Sequence, residues 1–242
     1  MNPRKIFALG ICIIIALTIG VIMYAKNKFT MFNYNSYIEN SSYNFINSIN
    51  NNDSDLEGMN YEQMFNLFDY FIDDKISTID DLINLSDYIL IVNVDKQPIY
   101  KGSSVINNCT ILKVIKGSNF KENTKIRIYD LVFHWDYLRT YYLGGNTPLK
   151  INDNYIVFLK KPKLASENET YVFTSVKYGR ISILENREIL ENYEQSSLNI
   201  KDIFNYDLVF SPNNYDEIIE YNRLVKEIRE FAKKQSVGVK NE

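Results

Sequence analysis

The residues best equipped for chemistry are crowded into one stretch, DLVFHWDYLRTYYLGGNTPLKINDN. It holds the chain's single His, His134, beside its single Trp, Trp135, followed by Asp136, Tyr137, Arg139, Tyr141 and Tyr142. An imidazole next to a carboxylate can move protons, and clustered rings stack on sugars, peptides or base-like rings. The stretch reads as a long insertion between strands, a place where function concentrates. The competing reading has Trp135, Tyr137 and Tyr141 folding back as a hydrophobic plug.

Catalytic chemistry finds less support. One His without paired Cys or carboxylates at ligand spacing cannot supply a three-residue zinc site, so neither a metal nor a cofactor is expected. No G-x-S-x-G elbow exposes a nucleophile. Asp130 and Asp136 could form a carboxylate pair for glycoside hydrolysis, but their spacing across a loop gives no geometric warrant. The residues favour a binding or interaction module over an enzyme, with a cell-envelope hydrolase using His134 and Asp136 as the alternative.

The elements that must position this stretch are strands. Between Ser86 and Leu184, apolar and polar residues alternate in short runs bounded by turn residues. Tyr88, Leu90, Val92 and Val94 share one face of the first run, and Thr110, Leu112 and Val114 share a face of the next. Lys116-Gly117-Ser118-Asn119 reverses the chain, with Gly117 supplying a positive φ. A phosphate-cradling loop would need several glycines leading into a helix, whereas this corner leads into a strand. Ile126 and Ile128 then point inward while Lys125 and Arg127 point to water. Tyr155-Ile156-Val157-Phe158-Leu159 is apolar on both faces and so is not an edge strand. Residues 171–176 and 180–184 follow as a hairpin about the Tyr178-Gly179 turn. About six strands in roughly a hundred residues, with no regular helix between them, predict a small antiparallel barrel and a mainly β chain with flanking α, an α+β class.

The motif order LSDYILIVNV, TILKVIKG, KIRIYD, INDNYIVFLKK, YVFTSVKYGRISI is similar to an exported bacterial domain pattern with an OB-like β-barrel. Its marks are the Ser-Asp-x-Ile strand, the Val-x-Lys-Gly corner and the Asp-x-Tyr-x-x-Phe-Leu strand. The resemblance implies fold and export, over roughly residues 82–184, and supplies no catalytic residues. Secreted protease inhibitors of similar shape rely on a cysteine framework. Here Cys12 lies in the N-terminal apolar segment and Cys109 in a strand, where it reads as a small buried hydrophobe.

Residues 6–25 contain no charged side chain, enough at about 1.5 Å per residue to cross a hydrocarbon core of about 30 Å. Met23 stands where a signal-peptidase site wants a small residue, and Ile11 spoils a lipoprotein site at Cys12, so an uncleaved anchor in the lipid bilayer is expected. Arg4 and Lys5 on one side stand against Lys26 and Lys28 on the other, so the positive-inside bias is slight; the exported-domain resemblance implies that residues 1–5 are cytoplasmic and the rest of the chain lies outside a single-pass cell-membrane segment. Residues 26–58 read as a polar stalk and 59–85 as helical, with Tyr61, Met64, Phe65, Phe68, Phe71 and Ile72 on one face and a second short helix from Ile79 to Leu85, which Ser77 or Thr78 can cap with Asp80 and Asp81 in its first turn. Residues 86–190 form the barrel domain. The C-terminal segment 191–242 carries a helix at 214–235, capped by Asn214 with Glu217, whose stripe Ile218, Tyr221, Val225, Ile228 and Ala232 packs on the barrel or on a partner. A formal net charge of −3 argues against nucleic acid, leaving an envelope protein or polysaccharide as the expected partner.

Overall fold

The Ser86-Asp87 pair shows why the first barrel strand begins where it does. In the computed structural model, which describes residues 42–46, 76–101, 104–136, 139–143, 146–161, 171–184, 188–190, 203, 206–209 and 215–236, the described elements run β1 (Ser42–Ile46), α1 (Ile79–Leu85), β2 (Tyr88–Val94), β3 (Ile99–Lys101), β4 (Ser104–Lys116), β5 (Lys125–Asp136), β6 (Arg139–Leu143), β7 (Asn154–Lys160), β8 (Tyr171–Phe173), β9 (Arg180–Ser182), β10 (Glu188–Leu190), β11 (Tyr206–Val209) and α2 (Tyr215–Ser236). Thr78 and Asp81 start α1 as a reciprocal capping box. The Asp81 carboxyl sits below its ordinary range because the Thr78 hydroxyl and the N–H groups of Thr78 and Ser77 donate to it. At the other end α1 has no basic residue of its own in the last turn. The Lys116 ammonium supplies the charge from β4, donating to the carbonyls of Ile83 at 2.9 Å and Ser86 at 2.6 Å. The Ser86 hydroxyl donates to the Leu82 carbonyl at 2.6 Å and meets the Thr174 hydroxyl at 2.9 Å. Asp87 accepts from the Lys161 N–H at 3.1 Å.

Five strands close a barrel. β2 lies between β4 and β7, β7 pairs with β8, and β5 completes the ring by pairing with β4 and β8. The expected all-antiparallel barrel is corrected at one seam, because β5 and β8 run parallel. Parallel neighbours need a crossover, and here the connection contains the strands β6 and β7 in place of a helix.

Two layers of core follow from the two faces of β2 and β7. Leu90, Val92, Val94, Tyr155, Val157 and Leu159 fill the barrel, while Ile89, Ile156 and Phe158 face outward under the helices. That double burial is why β7 reads as apolar at five consecutive positions. On β4 the expected inward set is corrected. Cys109 and Ile111 face the interior, and Thr110 and Leu112 do not pack there; a register shift against β2 at Leu112 changes the alternation before Val114 rejoins it. Ile126 and Ile128 point inward as expected.

The predicted hairpin of residues 171–176 and 180–184 is also corrected. β8 and β9 do not pair with each other but lie in succession along one edge of β7, at Leu159–Lys160 and at Tyr155–Val157. Residues 174–179 loop out between them. The Phe158 N–H donates to the Gly179 carbonyl at 2.8 Å, and the Thr174 N–H donates to the Phe158 carbonyl at 2.8 Å.

Helix α2 spans one residue beyond the expected 235 and lays Ile218, Tyr221, Leu224, Val225, Ile228 and Ala232 on the outer layer. The Arg229 guanidinium anchors it by donating to the Ser182 carbonyl at 3.0 Å and the Asp207 carboxylate at 2.9 Å. β10 and β11 form a separate parallel pair, with Leu208 buried in the same layer.

Part of the 26–58 segment is a strand: β1 pairs parallel with β6 from Ser42↔Arg139 to Ile46↔Leu143. The rest of that segment, residues 59–75, the cap at Asn214 and the apolar run 6–25 lie outside the described residues. No helix among the described residues is long and apolar enough to cross a membrane.

Candidate functional site

Gly117 is where the site begins. Its φ of +114° turns the chain out of β4, and a Cβ there would lie 2.5 Å from Cδ1 of Tyr88, so only glycine lets the turn settle over that ring. Past the turn, Phe120 meets Tyr88 edge-on at 5.1 Å and Tyr171 at 5.0 Å, and Tyr171 meets Tyr88 at 5.5 Å. Asn123, at φ +64°, donates its N–H to the Ile111 carbonyl at 2.7 Å and returns the chain to β5. The result is a cleft of about 620 Å³ on the barrel wall, bounded by the β2–β3 connection, the β4–β5 turn, the start of β5 and Tyr171.

Its polar floor is ordered. The Thr110 hydroxyl donates to Asp95 Oδ1 at 2.6 Å and accepts from Lys125 Nζ at 2.7 Å. The same ammonium stands 3.0 Å from Asp95 Oδ2. With the Lys125 side chain 73% exposed, solvent screens that ion pair and it contributes little to stability. Its effect is to fix where the charge sits. Lys96, Lys121 and Arg127 line the cleft around it, with the amides of Asn108 and Asn119 and the rings of Phe120 and Tyr171.

The Cys109 thiol lies behind this wall, with the residue fully buried. Burial, with the Asp95 charge adding and Lys125 opposing, pushes its pKa from 9.0 up to about 12. The fold therefore favours the neutral thiol: this contribution is complete below the ordinary thiol value and is lost as pH rises from about 9 toward 12. Between pH 8 and pH 10 it amounts to about 1.4 kcal/mol. Denaturant titrations of wild type and Cys109→Val at those two pH values should differ by that amount, with the wild type losing more stability. Equal losses would contradict the burial argument.

The residues singled out from sequence lie elsewhere on β5. The expected irregular insertion is corrected to a hairpin: β5 continues to Asp136 and β6 returns from Arg139, pairing Val132↔Tyr142, Phe133↔Tyr141, His134↔Thr140 and Asp136↔Arg139. Residue types on either side of the turn suit it, because Val132, Phe133, Tyr141 and Tyr142, which pair across the two strands, are all β-forming. A register shift falls between His134 and Asp136, at Trp135. Tyr141 and Tyr142 are consecutive positions of β6, opposite Phe133 and Val132 of β5. Tyr137 lies outside the described residues. The suggested carboxylate pair is separated in role, since Asp130 forms an ion pair with Arg180. Among the described residues no three His, Cys, Asp or Glu side chains converge as a metal site.

Sequence reading passed over Lys96, Phe120, Lys121 and Tyr171, and treated Lys125 and Arg127 as a solvated face. The available signal was the charge alternation on β5, Lys125 and Arg127 on either side of Ile126, close after the Phe120-Lys121 turn. Comparison with protein-family models gives no match for the chain, and comparison with curated proteins gives none either.

Proposed function

We propose that the protein is a membrane-anchored extracytoplasmic binding module, with a barrel of OB-like type that presents the β4–β5 wall to its ligand. The observation that carries this reading is the cleft itself: a concavity of about 620 Å³ lined by charged, amide and aromatic side chains on a rigid wall. The barrel order supports it. Counted along the chain, the barrel strands β2, β4, β5, β7 and β8 are arranged first-second-third-fifth-fourth around the ring, with a parallel third–fifth seam. In OB barrels the face of the second and third strands holds the ligand, an analogy of fold that lends weight to the same wall here. The uncharged run 6–25 supports the anchor, and the exported-domain resemblance supports the outward placement of the barrel.

A photo-crosslinking amino acid placed at Asn119 in intact cells, with Glu230 on the exposed side of α2 as control, tests this directly. Covalent adducts from position 119 and none from 230 are expected, and protease added outside the cells should cleave the chain. Adducts confined to position 230, or a chain fully protected from outside protease, would refute the reading.

A further inference from the structure

The barrel interior is not apolar throughout. Residues opposite each other in an antiparallel pair share a face, so the register assigns the inward positions. Asn107 pairs with Ile128 and Val105 with Asp130, on the face of β4 and β5 that carries Cys109, Ile126 and Ile128 into the barrel. Arg180 pairs with Val157, whose side chain also fills the barrel. Asn107, Asp130 and Arg180 therefore project into one interior from β4, β5 and β9.

Among the described residues, one acceptor and one donor of this group have no partner. Asn107 is 1% exposed, and its Nδ2 donates to the Ile128 carbonyl at 3.4 Å, which fixes the orientation of the amide and turns Oδ1 away from that carbonyl. Oδ1 is left as an acceptor without a donor. The Arg180 side chain is 5% exposed; its Nη1 donates to Asp130, and its Nη2 is left as a donor without an acceptor. Burial makes both costly, because each has given up the hydrogen bonds it makes in water.

The register also brings them near each other. Asn107 and Asp130 are diagonal neighbours across the β4–β5 ladder, about 7–8 Å apart, and the guanidinium is held on the Asp130 carboxylate. One small molecule spans what remains. It must accept one hydrogen bond and donate another. An anion has nothing further to neutralise, since the guanidinium is already paired with Asp130 and lies 4.8 Å over the Phe173 ring.

We infer that an internal water molecule binds between these strands, accepting from Arg180 Nη2–H and donating to Asn107 Oδ1. It ties β4 to β9 where, among the described residues, β9 has no ladder with β5. The site is inside the barrel and independent of what the outer wall binds.

The test is heteronuclear-edited NOESY and ROESY spectroscopy of the full chain in non-ionic detergent, read at the water frequency and at low temperature. Cross-peaks to water are expected from the Arg180 Nη2–H and Asn107 Nδ2–H protons, with the sign of the diagonal in NOESY and the opposite sign in ROESY. Proton exchange with solvent keeps the sign of the diagonal in both, so the pair of spectra separates a bound water from exchange. Asn107→Leu, similar in shape but without the acceptor, should abolish the Arg180 cross-peak. Exchange-type peaks alone, no peak from either group, a hydrogen-bond coupling directly between Arg180 Nη2 and the Asn107 side-chain carbonyl, or an Arg180 cross-peak unchanged in Asn107→Leu would each overturn the inference. If Asn107→Leu does not fold, the two wild-type spectra decide the question by themselves.

Discussion

Gly179→Ala is expected to lower stability by about 3 kcal/mol or more, the cost of forcing atoms into packed backbone. A Cβ at this position would stand 2.3 Å from the Ser175 carbonyl oxygen and 2.7 Å from the Phe173 Cβ. Neither neighbour can retreat cheaply. The Ser175 carbonyl accepts from the Gly179 N–H at 3.0 Å, the Ser175 hydroxyl accepts from the Tyr178 N–H at 3.0 Å, and Phe173 is held in β8 against Leu159. Against a typical domain stability of about 5–15 kcal/mol the loss is large, and it should lower the thermal midpoint by roughly 10 °C. Gly117→Ala provides the comparison. There the clash is with a side-chain ring, Tyr88, in place of packed backbone, and the left-handed backbone adds about 1–2 kcal/mol. Equal losses in the two variants by urea denaturation would show that residues 174–179 yield as a loose loop.

Arg180→Met is expected to cost about 3 kcal/mol, because it removes the guanidinium from a largely buried ion pair with Asp130. The Arg180 side chain is 5% exposed and that of Asp130, its ion-pair partner, 14%. The guanidinium lies 4.8 Å above the centre of the Phe173 ring, and its Nη2 has no hydrogen-bond partner. The position explains the pair. β8 ends at Phe173, so beyond that point β7 is flanked by β9, which is not paired with β5. The Arg180–Asp130 contact joins β9 to β5 where the ladder is missing. Arg180→Met/Asp130→Leu should therefore recover much of the single-variant loss, since two apolar side chains can close the seam without leaving a buried charge. A double variant less stable than Arg180→Met by the full cost of Asp130→Leu alone would mean that the pair carries no coupling, and a thermodynamic cycle over the four proteins measures it.

Much of the architecture was legible because it is local. Period two at Lys125–Ile128 follows from one residue pointing in and the next out, the unbroken apolar run Tyr155–Leu159 from burial of both faces, and the capping residues of α1 act within four positions of one another. The Gly117 turn was legible for the same reason. The β4 face was misread because a bulge is invisible to an alternation count, which assumes every residue advances the pleat equally. The loop 174–179 hid in the same way, since two short strands sharing one edge of β7 look like a hairpin when only spacing is read.

The candidate site shows the limit most clearly. His134, Trp135 and Asp136 attracted notice because they are rare or reactive residue types adjacent in sequence, and they fall together on one strand, β5. The cleft gathers Lys96, Phe120, Lys125 and Tyr171 from four separate segments. The amino-acid sequence alone determined what depends on neighbours a few residues apart: the strand pattern, the helix cap, the turn glycine and the uncharged run 6–25. The tertiary structure alone decided the parallel seam, the inward face of β4 and the membership of the cleft, because each depends on barrel closure bringing together side chains that no short-range periodicity relates.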